Sequence, residues 1–316
     1  MIPKTIPGSP RSPTDKLLAC PPGLAPLRTM RYLDPHIHCF SRTTDDYENM
    51  YLAGCRAVVE PSFWLGQPRT TAGTFRDYFN SILDFERARA ADFGISHRCT
   101  IGLNPKESND ERLAAEVLEM LPEFMGRESV VAVGELGFDD ITDAEERSLR
   151  AQIAMGIEHN LPILVHTPHR DKHRGAILLM DILEDMGVDP KNAIIDHSTE
   201  ETTKSILDRG FWAGHTVYPQ TKLTPPRFAN IFNEFGIERM LLNTSADWGK
   251  SDPLLVPKTL THLEMRGADP AVLQKLVWDN PIQFFGKERM ALPENGEPFD
   301  PVAANATHSS LRKDFV

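Results

Sequence analysis

The sequence predicts an α/β protein: a single (β/α)8 TIM barrel with an irregular Pro-rich N-terminal tail. Three observations carry this expectation. Eight short apolar runs alternate with longer amphipathic stretches between residues 31 and 290. The runs are apolar almost throughout, as strands buried on both faces must be. Five of them end in an imidazole or carboxylate, and barrels of this kind carry their chemistry at the C-terminal ends of the strands.

Taken in order, residues 1–30 are broken by Pro3, Pro7, Pro10, Pro13, Pro21, Pro22 and Pro26 and read as an extended, irregular tail. Their one apolar stretch, Lys16–Cys20, is too short for a secretory signal. The expected strands are Tyr32–Phe40, Ala57–Trp64, Arg98–Asn104, Val130–Phe138, Leu161–Thr167, Ala193–Ser198, Phe211–Tyr218 and Met240–Thr244. Between them, Ala144–His159 places Leu149, Ile153, Gly156 and Ile157 on one helical face, with Thr142 or Asp143 as N-cap. Arg174–Met186 repeats Ile177, Leu178, Ile182 and Leu183 at helical spacing and stops at Gly187. Helices over Pro225–Phe235 and Pro270–Phe285 each open on a proline, a favoured first-turn residue. No linker interrupts 31–290, so this is one domain, and 291–316 is polar and irregular. An open doubly wound sheet is the alternative, but no G-x-G-x-x-G follows the first run.

The net charge of −11 over 316 residues disfavours broad contact with nucleic acid or anionic membrane. No apolar run reaches the ~20 residues that cross a bilayer. Cys20, Cys39, Cys55 and Cys99 form no C-x-x-C pair and suit a reducing compartment, so a cytoplasmic protein is expected.

The strand ends hold the candidate chemistry. Strand 1 closes on Asp34-Pro35-His36-Ile37-His38, strand 4 on Gly134-Glu135, strand 5 on Val165-His166, strand 6 on Asp196-His197, and strand 8 runs into Asp247. Residues i and i+2 of a strand share a face, so His36 and His38 can grip one cation. Imidazole with carboxylate suits one or two divalent ions, Zn²⁺, Mn²⁺, Mg²⁺, Fe²⁺ or Co²⁺. A buried Glu135 would be costly without such a partner, and a glutamate there can bridge two metals. Substrate contacts are expected from His215, Tyr218 and Lys222 at the end of strand 7, and from His169 and Arg170 after strand 5.

These residues resemble the TatD-like branch of the amidohydrolase superfamily over roughly 31–287. The D-x-H-x-H opening is matched by Asp34 to His38, and G-E-x-G-L-D by Gly134 to Asp139. A histidine after an apolar strand 5 is matched by His166, a strand 6 histidine by His197, and the closing N-P-x-x-x-F by Asn280 to Phe285. The resemblance implies a dinuclear metal-dependent hydrolase. His36, His38, Glu135 and Asp247 would hold one ion, and Glu135, His166 and His197 the other. A metal-bound hydroxide would attack an ester, amide or phosphoester, with Asp247 and Glu135 as catalytic residues and Asp247 passing the proton on. The chain departs from the family's E-T-D at strand 8, reading Asn243-Thr244-Ser245-Ala246-Asp247, and Asp247 is taken as the aspartate. It also lacks H-x-F at strand 6 and H-x-R after strand 5. A further likeness, to TatD-like proteins of bacterial metabolite gene clusters, implies a small biosynthetic intermediate as substrate. The alternatives are a deoxyribonuclease, supported by the basic cluster Arg170, Lys172, His173 and Arg174, and a non-catalytic metal-binding or docking barrel.

Overall fold

A computed structural model describes residues 30–292; the expected tails, 1–30 and 291–316, fall almost wholly outside them, as does Cys20. Eight strands form one sheet with every neighbouring pair parallel: β1 Tyr32–Asp34, β2 Cys55–Pro61, β3 Ser96–Ile101, β4 Val130–Gly137, β5 Ile163–His166, β6 Ala193–Asp196, β7 Trp212–Thr216 and β8 Met240–Asn243. Beyond the strand ends, Ser245 N–H donates to His36 O (2.7 Å) and His38 N–H to Ala246 O (3.0 Å), which ties the last strand to the first. The barrel expected from the sequence is thus the fold observed.

The helices follow their local signals. Thr142 and Glu145 make a reciprocal capping box for the helix Asp143–Glu158. The helix Lys172–Asp185 ends before Gly187, whose φ of +78° few side-chain-bearing residues adopt. Pro225–Phe235 forms as read, while Pro270–Phe285 is helical throughout but passes through a wide turn at Lys275–Asp279. Among the described residues, no helix is long and apolar enough to cross a membrane.

The two-residue period of the strands divides the barrel into layers. Leu33, Leu164, Ile194, Trp212 and Leu241 fill its floor, sealed from below by Phe284, Phe285 and Met290. Two residues further along, the same inward face of β5, β6 and β8 turns polar, with His166, Asp196 and Asn243, and four residues beyond Trp212 β7 presents Thr216. The outward residues Val165, Ile195, Ala213 and Leu242 pack beneath the helices. An apolar floor under a polar mouth is what positions the site.

Candidate active site

His36 and His38 leave β1 and point into the mouth with their Nε2 atoms 3.1 Å apart. Their tautomers follow from their other nitrogens. His36 Nδ1 donates to the buried carboxylate of Asp196, and His38 Nδ1 donates to the carbonyl of Pro61 (3.2 Å). With Nδ1 so engaged, each Nε2 is the nitrogen left for the site, and the two face each other. Glu135 Oε2, from β4, lies 3.0 Å from His36 Nε2. Only a cation or a shared proton makes that arrangement favourable. Burial would push the proton off His36, but the carboxylates of Asp196 and Glu135 overcome it and hold the imidazole at about 9. Burial and the charge of His36 then keep His38 well below the usual imidazole range.

The second half is built alike. His166 Nδ1 lies 3.0 Å from Glu135 Oε1, yet the angle is not that of a hydrogen bond, so a buried nitrogen is left without a partner. His197 follows β6 at a φ of +58°, which turns its ring back over the barrel. Its tautomer is set by a relay. Asn243 Nδ2 donates to Asp196 (3.0 Å), Thr216 Oγ1 donates to Asn243 Oδ1 (2.7 Å), and His197 Nδ1 donates to Thr216 Oγ1 (2.7 Å). His197 Nε2 is thereby left as a lone pair. Burial would raise Glu135, but His166 and His36 hold it well below the usual carboxylate range, and Asn104 Nδ2 donates to its Oε1 (2.9 Å).

Two groups of three donors result, His36/His38/Glu135 and Glu135/His166/His197, each with ligand atoms within 4.8 Å of one another and with Glu135 common to both. This donor set fits one or two divalent cations: four imidazoles and a shared carboxylate whose ligand atoms converge, with His166 Nδ1 lacking any other partner. Gly137 makes the strand end possible. At its φ of +138°, a Cβ would meet His166 O at 2.3 Å.

Asp247 joins neither group. Its Oδ1 accepts from Tyr218 Oη (3.1 Å) and from Gly249 N–H (2.7 Å), and its carbonyl accepts from Arg42. Ser245 stands beside His36 at a φ of +45°, and Asp247 is carried two residues outward onto the cavity wall. The cavity over the donors is about 250 Å³, and His169, Tyr218 and Lys222 line it with Trp64, Trp248 and Asp247. His215 does not reach it. One step out of phase with Thr216, it points away from the barrel, contacts Thr203 Oγ1 (2.9 Å) and packs on Phe228. Arg170 is exposed and lies off the cavity lining.

Several functional neighbours were not singled out from the sequence: Asp196, Asn104, Thr216 and Asn243. Asp196 carried a signal, a carboxylate closing the apolar run Ala193–Ile195.

Comparison with known proteins agrees with this geometry. The family model described as TatD related DNase matches residues 33–286. A metal-dependent hydrolase of Methanocaldococcus jannaschii is 28% identical over 257 residues, covering 80% of this chain and 99% of its own. The 3'-5' ssDNA/RNA exonuclease TatD of Escherichia fergusonii is 25% identical over 208 residues, covering 59% of this chain and 77% of its own. The crystal structure of a TatD-like protein from Archaeoglobus fulgidus superposes with a TM-score of 0.67 at 24% identity, over 80% of this chain and 99% of that one. A barrel with these strand ends, matched along four-fifths of its length, belongs to the TatD family of metal-dependent hydrolases.

Proposed function

We propose that this enzyme hydrolyses an ester, amide or phosphoester bond of a small molecule with one or two divalent cations held by His36, His38, Glu135, His166 and His197. The observation that carries the reading is the convergence of the imidazoles of His36, His38, His166 and His197, with His166 Nδ1 otherwise unpartnered, on one buried glutamate. When bound, the cations would supply a water acidic enough to ionise near neutrality and would polarise the scissile bond. Asp196 holds the His36 tautomer, and Thr216 with Asn243 holds that of His197. Asp247, fixed by Tyr218 and Gly249 on the same wall, exchanges a proton with the reacting groups as general acid–base. Tyr218, Lys222 and His169 receive the substrate. Buried, unpaired Cys39, Cys55 and Cys99 accord with a cytoplasmic home.

A second reading, cleavage of single-stranded nucleic acid, is favoured by one feature. Trp64 and Trp248 meet edge to face at 5.8 Å on the cavity rim, and Trp248 is 53% exposed, a surface on which a base could stack. The acidic net charge of −11 favours the small molecule. Turnover of wild type and Glu135→Gln on phosphoesters, esters, amides, lactones and single-stranded DNA tests both readings. Hydrolysis lost in the variant is expected. Full activity of Glu135→Gln would refute the shared role of Glu135, and DNA as the preferred substrate would install the second reading.

A further inference from the structure

Resting on the hydrolase reading above, we infer that Lys222 is the specificity-determining residue of this enzyme and that it receives a phosphoryl group, so that the substrate is a compact phosphomonoester. Lys222 lines the cavity together with His38, Glu135, His166 and His197. Its position is fixed from three sides. Its N–H donates to Tyr218 O (2.8 Å), its carbonyl accepts from Arg227 (2.9 Å), and its ammonium stands over the Tyr218 ring, 5.0 Å from the centroid.

Among the described residues, no carboxylate oxygen lies within ion-pair distance of the Lys222 ammonium, and no acceptor takes a hydrogen bond from it. The contrast with Lys106 on the same cavity is direct, since Lys106 pairs with Asp139 at 3.7 Å. Burial disfavours the charged form of Lys222, and only the more distant Glu135, Asp247 and Asp196 compensate. A cation on Glu135 would spend much of that compensation. A half-buried ammonium without an anionic partner of its own, opening on the cavity, is placed to receive a ligand anion.

Among the described residues no arginine lines the cavity, so a bound anion meets the point charge of a lysine, an ordinary phosphate binder, and a phosphoryl group held there would stand beside the donor set. Lys172 adds to the cationic side from behind, donating to Thr167 Oγ1 (2.9 Å), with burial and Lys222 holding it down to about 8. A space of about 250 Å³ edged by Trp64 and Trp248 suits a phosphate carrying one apolar or aromatic group.

The test binds inorganic phosphate to the full chain, chelator-stripped and metal-loaded, by titration calorimetry in wild type, Lys222→Met and Lys222→Arg. Circular dichroism checks the fold. Loss of one charge-assisted contact predicts affinity lower by about tenfold to a hundredfold in Lys222→Met, partly restored in Lys222→Arg. In the metal-loaded enzyme, the ratio of kcat/KM for p-nitrophenyl phosphate to that for p-nitrophenyl acetate should fall at least about tenfold in Lys222→Met. Equal phosphate affinity in wild type and Lys222→Met, or an unchanged ratio, overturns the inference and leaves the hydrolase reading standing. Failure of wild type to hydrolyse any probe would instead count against the hydrolase reading, while phosphate binding would still decide the role of Lys222.

Discussion

Asp196→Asn isolates the device that aims His36 at the site. Asp196 is 1% exposed, and its two oxygens accept from His36 Nδ1 and from Asn243 Nδ2. An asparagine offers one acceptor and one donor, so it can satisfy only one of these two buried donors. If its oxygen faces Asn243, its amide faces His36 Nδ1 and favours the tautomer whose Nε2 carries hydrogen and cannot bind a cation. If its oxygen faces His36, the Asn243 amide loses its acceptor, and the relay through Thr216 to His197 loosens. Orienting carboxylates of this kind change metal affinity by about 10- to 100-fold, which is roughly 1.4–2.7 kcal/mol. The unsatisfied donor costs a further ~1–3 kcal/mol of fold stability. The assay is a calorimetric titration of Zn²⁺ into chelator-stripped wild type and variant, with thermal unfolding alongside. A folded Asp196→Asn protein that binds Zn²⁺ as tightly as wild type would refute the argument that tautomer control through Asp196 prepares the site.

Other consequences follow from single contacts. Asp247→Asn should keep its bound metal while kcat falls by about 10²-fold or more, as for loss of a general acid–base; elemental analysis showing lost metal would make Asp247 a ligand after all. Glu86, buried with Tyr47 and Arg89, is raised from the usual 4.5 to about 7, chiefly by burial and then by the charge of Glu60. A raised carboxyl contributes stability below pH 4.5 and loses it as the pH climbs through 7, on the order of 3 kcal/mol in all. Glu86→Gln should therefore flatten the denaturation profile across that window, and an unchanged pH slope in urea melts would contradict it.

Much of this site was legible in the sequence because a strand of alternating faces writes its chemistry at fixed steps. An apolar residue on the floor and a candidate ligand two residues on is the pattern of Leu164 and His166 in β5. His36 and His38 were legible for the same reason. The structure parts from the sequence reading where that step is broken. His215 was expected in the mouth from its place in an aromatic, polar run, but it is out of phase with Thr216 and belongs to the layer under the helices. Asp247, expected among the ligands from the resemblance, lies on the cavity wall beyond Ser245, whose left-handed backbone turn no spacing rule anticipates. The relay from Asp196 through Asn243 and Thr216 to His197 joins three strands adjacent in the barrel but far apart in the chain, so only the assembled sheet reveals it.

The central claim is that imidazoles from three strands and Glu135 hold the cations on which hydrolysis depends. Its most direct test is elemental analysis of protein purified without chelator, wild type beside the His36→Ala/His38→Ala double variant, with circular dichroism on both. The account predicts about one to two equivalents of divalent metal in wild type and a marked loss in the folded variant, together with loss of turnover. Wild type that stays metal-free after reconstitution, or a variant that retains full metal and activity, would contradict it.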